Sequence, residues 1–157
     1  SYLTIRLLHG AGTQSCLPRS LLTLLSMLQN DWSQVNGDNA IIRASAVLTT
    51  SYVAATVISN AEKCNQLVLY VDFTIGSLTT AELKVEFSDD GATYFDEIVE
   101  TVSSGTATAL PLVHAVGATG KKRYMIPIKD KYIKVSVKGT GTVTSSLMAI
   151  KAFLGNV

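Results

Sequence analysis

Charge is what this sequence has least of. Asp, Glu, Lys and Arg make up 16% of its 157 residues, against roughly a quarter in an ordinary soluble domain. The net charge of +1 creates no global field that would gather DNA or settle the chain on an anionic membrane. Two cysteines, Cys16 and Cys64, are too few for a disulfide framework. No CxxC or Cys/His spacing suggests zinc. Two free thiols are the expected state, with a bridge pinning the N-terminal segment as the alternative. The two histidines, His9 and His114, are far apart, and no serine sits in a GxSxG elbow. No apolar run reaches the 18 or so residues a membrane-spanning helix needs. The Leu-rich stretch Leu17–Leu28 is broken by Pro18, Arg19, Ser20, Thr23 and Ser26. No small-residue cleavage signature follows it, so it reads as part of the mature fold.

What is there is β-pattern. Leu67, Leu69, Val71, Phe73 and Ile75 alternate with other residues. After a break at Gly76–Ala81 the alternation resumes at Leu83, Val85 and Phe87, with Glu82, Lys84 and Glu86 between them. Alternate side chains of a strand point to opposite faces, so each run presents one apolar face. Ser88-Asp89-Asp90-Gly91-Ala92-Thr93 is a turn, and a third strand follows over Tyr94 to Val102. Around this meander lie further strand patterns at Ile41–Thr50, Tyr52–Ser59, Leu110–Val116, Lys122–Ile128, Tyr132–Lys138 and Val143–Leu154. Ser103–Ala109 reads as a loop and Gly139–Thr142 as a turn. The expected fold is all-β with one N-terminal helix: an antiparallel β-sandwich, jelly-roll-like, of eight or nine strands. Leu69, Val71, Phe73, Leu83, Val85, Phe87, Ile133, Val135 and Val137 are its expected core.

Residues 1–39 differ in texture. Leu21, Leu24, Leu25, Leu28 and Trp32 recur at helical spacing, Pro18 suits a first turn, and Asn36-Gly37-Asp38-Asn39 ends the pattern. The predicted organisation is an N-terminal arm, 1–39, carrying a short Leu-rich helix within Leu17–Val35, and a β-sandwich domain, 40–157. The helix is apolar over a wide arc and needs a cover. The second face of the strand Leu67–Ile75, with Val68, Tyr70, Asp72 and Thr74, is half apolar and offers one; a neighbouring subunit offers another.

The candidate chemistry is thin. Asp89 and Asp90 are explained by the turn. Asp96, Glu97 and Glu100 scatter over both faces of a strand, so they form no acid pair or calcium site. His114 reads as a sheet residue. His9-Gly10-Ala11-Gly12 lacks phosphate-loop spacing. No catalytic residue, cofactor or metal is expected. The charges are more informative. Seven acidic residues and one lysine fall between Glu82 and Glu100; seven basic residues and Asp130 fall between Lys121 and Lys138. Such patches can orient subunits in an assembly. Lys121, Lys122 and Arg123, with Leu21, Leu25, Leu28 and Trp32 on the helix, are the expected subunit-interface residues. The acidic stretch would oppose a polyanion, and no nucleic acid or membrane is expected as a partner.

The hairpin Val85–Glu97, VEFSDDGATYFDE, resembles hairpins of discoidin-like and other carbohydrate-binding sandwiches. It differs from the Asp-box of sialidase-type propellers, since Gly91 comes one residue early and Tyr94 stands in place of Trp. Together with the Ser/Thr/Ala-rich low-charge strands, the N-terminal arm and the ending Met148–Val157, the layout over residues 40–157 also resembles small β-sandwich virion proteins of tailed bacteriophages. Capsid decoration (cement) and tail-associated proteins are the examples. That resemblance implies a non-enzymatic structural protein, a homo-oligomer with a trimer favoured. It would contact a major capsid or tail protein, in a virion assembled in the host cytoplasm. A carbohydrate-binding module and the subunit of an extracellular filament are the alternatives.

Overall fold

The computed structural model describes residues 32–34 and 40–156, the first three as backbone only. Among them are twelve strands and one short 3-10 turn, Ala61–Lys63. The strands are β1 (Trp32–Gln34), β2 (Ile41–Val47), β3 (Val53–Ala54), β4 (Gln66–Thr74), β5 (Leu78–Ser88) and β6 (Phe95–Asp96). They continue with β7 (Ile98–Ser103), β8 (Thr106–Pro111), β9 (Val113–Val116), β10 (Gly120–Pro127), β11 (Tyr132–Gly141) and β12 (Leu147–Gly155). The antiparallel all-β expectation holds.

The pairing is nested. β2 pairs with β12, β3 with β11, β4 with β10 and β5 with β9, all antiparallel. The chain therefore folds as one long hairpin doubled back on itself. Two further ladders, β4 with β12 and β5 with β11, close it into two sheets. The first runs β2-β12-β4-β10, with β1 continuing the β2 edge beside Phe153–Gly155; the second runs β3-β11-β5-β9, with β6 sharing the β9 edge. A separate two-stranded sheet, β7-β8, is inserted between β6 and β9.

The alternation read from the sequence decides which side faces in. Leu67, Leu69, Val71 and Phe73 of β4 meet Met148, Ile150, Ala152 and Leu154 of β12. The second sheet contributes Leu83, Val85 and Phe87 of β5 with Ile133, Val135 and Val137 of β11. All nine expected core residues belong to this one cluster, each at most 5% exposed. At roughly 25 cal/mol per Å² of apolar surface removed from water, the cluster is the main stabilising term.

The turn after β5 forms as its residues require. Asp90 Oδ1 accepts hydrogen bonds from the backbone N–H groups of Ala92 and Thr93, each at 2.8 Å, and from Ser88 Oγ at 2.9 Å. Gly91 adopts φ +74°, and a Cβ there would press on the Tyr132 ring at 3.1 Å.

Several boundaries are corrected. Ser103–Ala109 is not a loop, since β8 begins at Thr106 and pairs with β7. Gly139–Gly141 is not a turn, because β11 continues through it against Leu78–Ala81. The final strand starts at Leu147; Val143–Ser146 is a turn closed by Ser146 N–H to Val143 O. Trp32–Gln34, expected within the helix, is a strand on Phe153–Gly155, where an open sheet edge takes up its backbone groups. The rest of the predicted helix lies outside the described residues. Cys64 is 5% exposed and disulfide-bonded, which corrects the free-thiol expectation for that residue. Cys16 lies outside the described residues.

Candidate interaction surfaces

Three surfaces carry the chemistry that the core does not absorb. The first is the outer face of the second sheet, and it uses up much of the charge. Register places Lys134 opposite Glu86 and Lys138 opposite Glu82. Lys134 Nζ lies 3.0 Å from Glu86 Oε1, Lys138 Nζ 3.1 Å from Glu82 Oε2, and Lys84 Nζ 3.0 Å from Asp96 Oδ1 and 3.5 Å from Glu86 Oε1. Tyr52 donates its phenol O–H to Glu82 Oε2 at 2.7 Å, and the Lys138 and Lys84 ammonium groups lie 4.7 and 5.0 Å from its ring centroid. Burial first, then the bond to Glu82 and the surrounding carboxylates, pushes the Tyr52 phenol above its ordinary range. The Tyr52 bond, outweighing burial, and Lys138 hold Glu82 below its ordinary value. Burial opposes the charge of Lys84, yet its hydrogen bonds to Asp96 and Glu86 and their charges raise its pKa. Lys129 pairs with Glu97 at 3.1 Å. Most of the opposite patches seen in the sequence are thus partners within one chain, because β5 and β11 adjoin. Lys84, Lys129, Lys134 and Lys138 are therefore engaged within the chain and are not free to orient subunits.

Lys121, Lys122 and Arg123 are different. They lie on β10, in the other sheet, and none is in an ion pair among the described residues. Lys121 and Arg123 project beside a groove of about 690 Å³ on the outer face of the first sheet, lined also by Val68, Tyr70, Asp72, Ala149, Lys151 and Phe153, with Lys122 and Val71 between them at its wall. Cross-strand register builds it in rows: Lys121, Asp72 and Ala149; Arg123, Tyr70 and Lys151; Met125, Val68 and Phe153. Tyr70 and Phe153 meet edge to face with centroids 5.6 Å apart, and the Arg123 guanidinium lies 6.0 Å from the Tyr70 ring centroid. The half-apolar second face read from β4 is therefore real, and two of its rim cations, Lys121 and Arg123, are expected site residues; Lys122 alternates to the other side of β10, opposite Val71. Phe153 and Lys151 were missed, because only the β12–β4 register brings them there.

The third surface is the β7-β8 hairpin. Every residue of both strands is exposed. Its two-residue turn, Ser104-Gly105, has φ +51° and +78°, a geometry whose twist suits a hairpin and which glycine enters without strain. Ile98, Val99, Val102 and Leu110 project into solvent at 41–72% exposure, with Phe95 at 62% and Leu112 at 36% beside the hairpin root. Glu100 is its one charged residue. The loop reading of residues 103–109 hid this surface, although Ser-Gly is a turn dipeptide.

Of the other expected site residues, Leu21, Leu25 and Leu28 lie outside the described residues, and Trp32 is described as backbone in β1. His114 is in β9, its ring 5.1 Å from that of Tyr124, with burial lowering its pKa. It lines a smaller cavity of about 120 Å³ with Phe87, Glu97 and Lys129. Among the described residues no group of three or more His, Cys, Asp or Glu could hold a metal ion, and no helix is long and apolar enough to cross a membrane. No protein-family model and no curated protein matches the sequence.

Proposed function

We propose that this chain is a non-catalytic structural protein of a bacteriophage virion, which decorates or cements the capsid or tail through subunit contacts. The nested pairing and the strand orders β2-β12-β4-β10 and β3-β11-β5-β9 support a reading as a jelly roll, a double-sheet architecture that recurs in viral capsid and lectin domains. Because a fold alone does not carry a function, the observation that carries this reading is the β7-β8 hairpin. A lone two-stranded hairpin is marginally stable in water, yet this one projects apolar side chains from both faces with one charge among them. Exposed contiguous apolar surface of that kind fits a protein contact. The chain is proposed as a homo-oligomer, with a trimer favoured by the resemblance, seated on a major capsid or tail protein.

The test is the mass of the full chain in solution, by size exclusion with light scattering across protein concentration. A closed oligomer that Val102→Asp with Leu110→Asp converts to a folded monomer supports the reading. An open polymer favours the filament alternative. A wild type that stays monomeric at high concentration overturns self-assembly.

One observation favours a second reading as a carbohydrate-binding module: the Tyr70–Phe153 aromatic pair with Arg123 on an open groove. Its test is a glycan-binding screen of wild type against Tyr70→Ala, where a sugar retained by wild type and lost by the variant would support it.

A further inference from the structure

The two faces of the β7-β8 hairpin differ. Its register pairs Ile98 with Pro111, Glu100 with Ala109 and Val102 with Ala107, and alternation puts these six on one face. The opposite face carries Val99 with Leu110 near the root, then two hydroxyl rows, Thr101 with Thr108 and Ser103 with Thr106. The first face is therefore apolar except for one carboxylate at its middle, and Val102 near the turn is 72% exposed. Glu82, Glu86, Asp96 and Glu97 are held by lysines of their own chain, whereas Glu100 is in no ion pair among the described residues.

The groove on the outer face of the first sheet has the complementary character. Tyr70 is 45% exposed in it and Met125 47% exposed beside it. Lys121, Arg123 and Lys151 outnumber the one carboxylate lining it, Asp72, and none of the three is in an ion pair among the described residues. Arg123 and Lys151 flank Tyr70 in the middle row, between the Lys121–Asp72–Ala149 row and the Met125–Val68–Phe153 row. Two cations thus sit at the middle of the groove, as one carboxylate sits at the middle of the hairpin face.

We infer that this groove receives the β7-β8 hairpin of a second copy of the chain, with Glu100 of one copy between Arg123 and Lys151 of the other. The inference rests on the self-assembly proposed above and names the two surfaces that meet. Same-face rows of a strand repeat about every 6.6–6.8 Å. A hairpin lying along the groove with Glu100 over the Tyr70 row therefore sets its Val102–Ala107 and Ile98–Pro111 rows over the two neighbouring rows. Ala107 and Ala109 are small, which leaves room for the Tyr70 and Phe153 rings against β8. The apolar face leaves water, and its carboxylate is enclosed together with cations, so no uncompensated charge is buried. Two hairpins packed on each other through this same face would instead set Glu100 against Glu100, a like-charge contact that is disfavoured. Hairpin and groove are different surfaces of one chain, so the contact is heterologous and closes into a ring or runs on as a filament.

The test is a charge swap in the full chain, read by light scattering against protein concentration at low salt. Glu100→Arg reverses the hairpin; Arg123→Glu with Lys151→Glu reverses the groove; a third variant carries all three changes. The three side chains are exposed, and circular dichroism checks that each variant keeps the wild-type fold. The midpoint concentration for assembly should rise by about tenfold or more in each of the first two variants, and the combined variant should recover most of that loss, because coupled partners are not additive. Either of the first two assembling like wild type, or a combined variant no better than its parents, would overturn the hairpin–groove contact and leave self-assembly through other surfaces standing. A wild type that stays monomeric at high concentration would overturn both.

Discussion

Tyr52 and Glu82 are joined by a 2.7 Å hydrogen bond that links the edge segment beside β3 to the centre of the second sheet, with Lys138 completing the cluster. A bond to a charged acceptor contributes more than a neutral one, so Tyr52→Phe should lower stability by about 1–3 kcal/mol at neutral pH. The pH dependence follows from the two shifts. The Tyr52 phenol is held above its ordinary 10.0, so its contribution is full below pH 10 and is lost as the pH rises beyond that. The Glu82 carboxyl is held below its ordinary 4.5, so its contribution is present above pH 4.5 and is lost in acid. Melting temperatures of wild type and Tyr52→Phe across pH should differ most between these limits and converge at both ends. A gap unchanged by pH would place the bond elsewhere.

Asp90 adds a second acid-labile contribution, at the turn after β5. Its backbone acceptor bonds from Thr93 and Ala92, and that from Ser88, lower its pKa from 3.8 to about 2. Since the folded value is depressed, the stabilisation is present above pH 3.8 and disappears as pH falls through about 2. Asp90→Ala should lower the melting temperature at neutral pH and flatten its decline in acid. Asp89→Ala, at the neighbouring position, should do neither, and equal effects of the two would reject the Asp90-centred turn.

The core prediction rests on Phe87, 5% exposed and in register with Ile133 and Phe95. Phe87→Ala should cost about 3–5 kcal/mol, as truncation of a buried aromatic leaves a cavity that the sheets fill only in part. Chemical denaturation with an unchanged m-value would measure it. A loss below 1 kcal/mol would mean that the two sheets do not close over this position.

Period-two alternation made the core legible, because burial against a single core imposes the same constraint on every strand of both sheets. It also overreached. Gly139-Thr140-Gly141 has turn composition, yet β11 runs on because Leu78–Ala81 supplies a partner ladder, and such tertiary pairing overrides propensity. Thr106–Pro111 was hidden for the opposite reason: its side chains bury nothing, so no hydrophobic face marks the strand. The groove was half legible. Val68, Tyr70 and Asp72 alternate along one strand, but Lys151 and Phe153 join them through register with a strand some eighty positions away, a relation that no local pattern contains. The charge patches were legible as patches and misread as intersubunit partners, since their strand adjacency is a property of the fold.

The hairpin separates folding from assembly. Val102 and Leu110 are 72% and 53% exposed in the isolated chain, so replacing both with Thr removes no buried contact. Stability of the monomer should stay within about 0.5 kcal/mol of wild type, as for surface substitutions generally. The midpoint concentration for assembly should rise by tenfold or more. A variant that assembles like wild type would move the contact off the hairpin.

Lys121, Lys122 and Arg123 are what remains of the charge argument after Lys84, Lys129, Lys134 and Lys138 are assigned acidic partners in their own chain. They are clustered on the edge strand β10, with Lys151 across the groove. If this rim meets an acidic surface in the assembly, its attraction acts across solvent and is screened over about 8–10 Å at physiological ionic strength. Contacts formed by wild type should therefore weaken with added salt. Reversing all three to Glu should abolish assembly at low salt and restore part of it as salt rises, because screening now relieves a repulsion. Light scattering against salt for the two proteins gives slopes of opposite sign on this account. Parallel slopes would confine the role of these three residues to keeping a half-apolar face in solution, and would leave the hairpin as the sole contact supported.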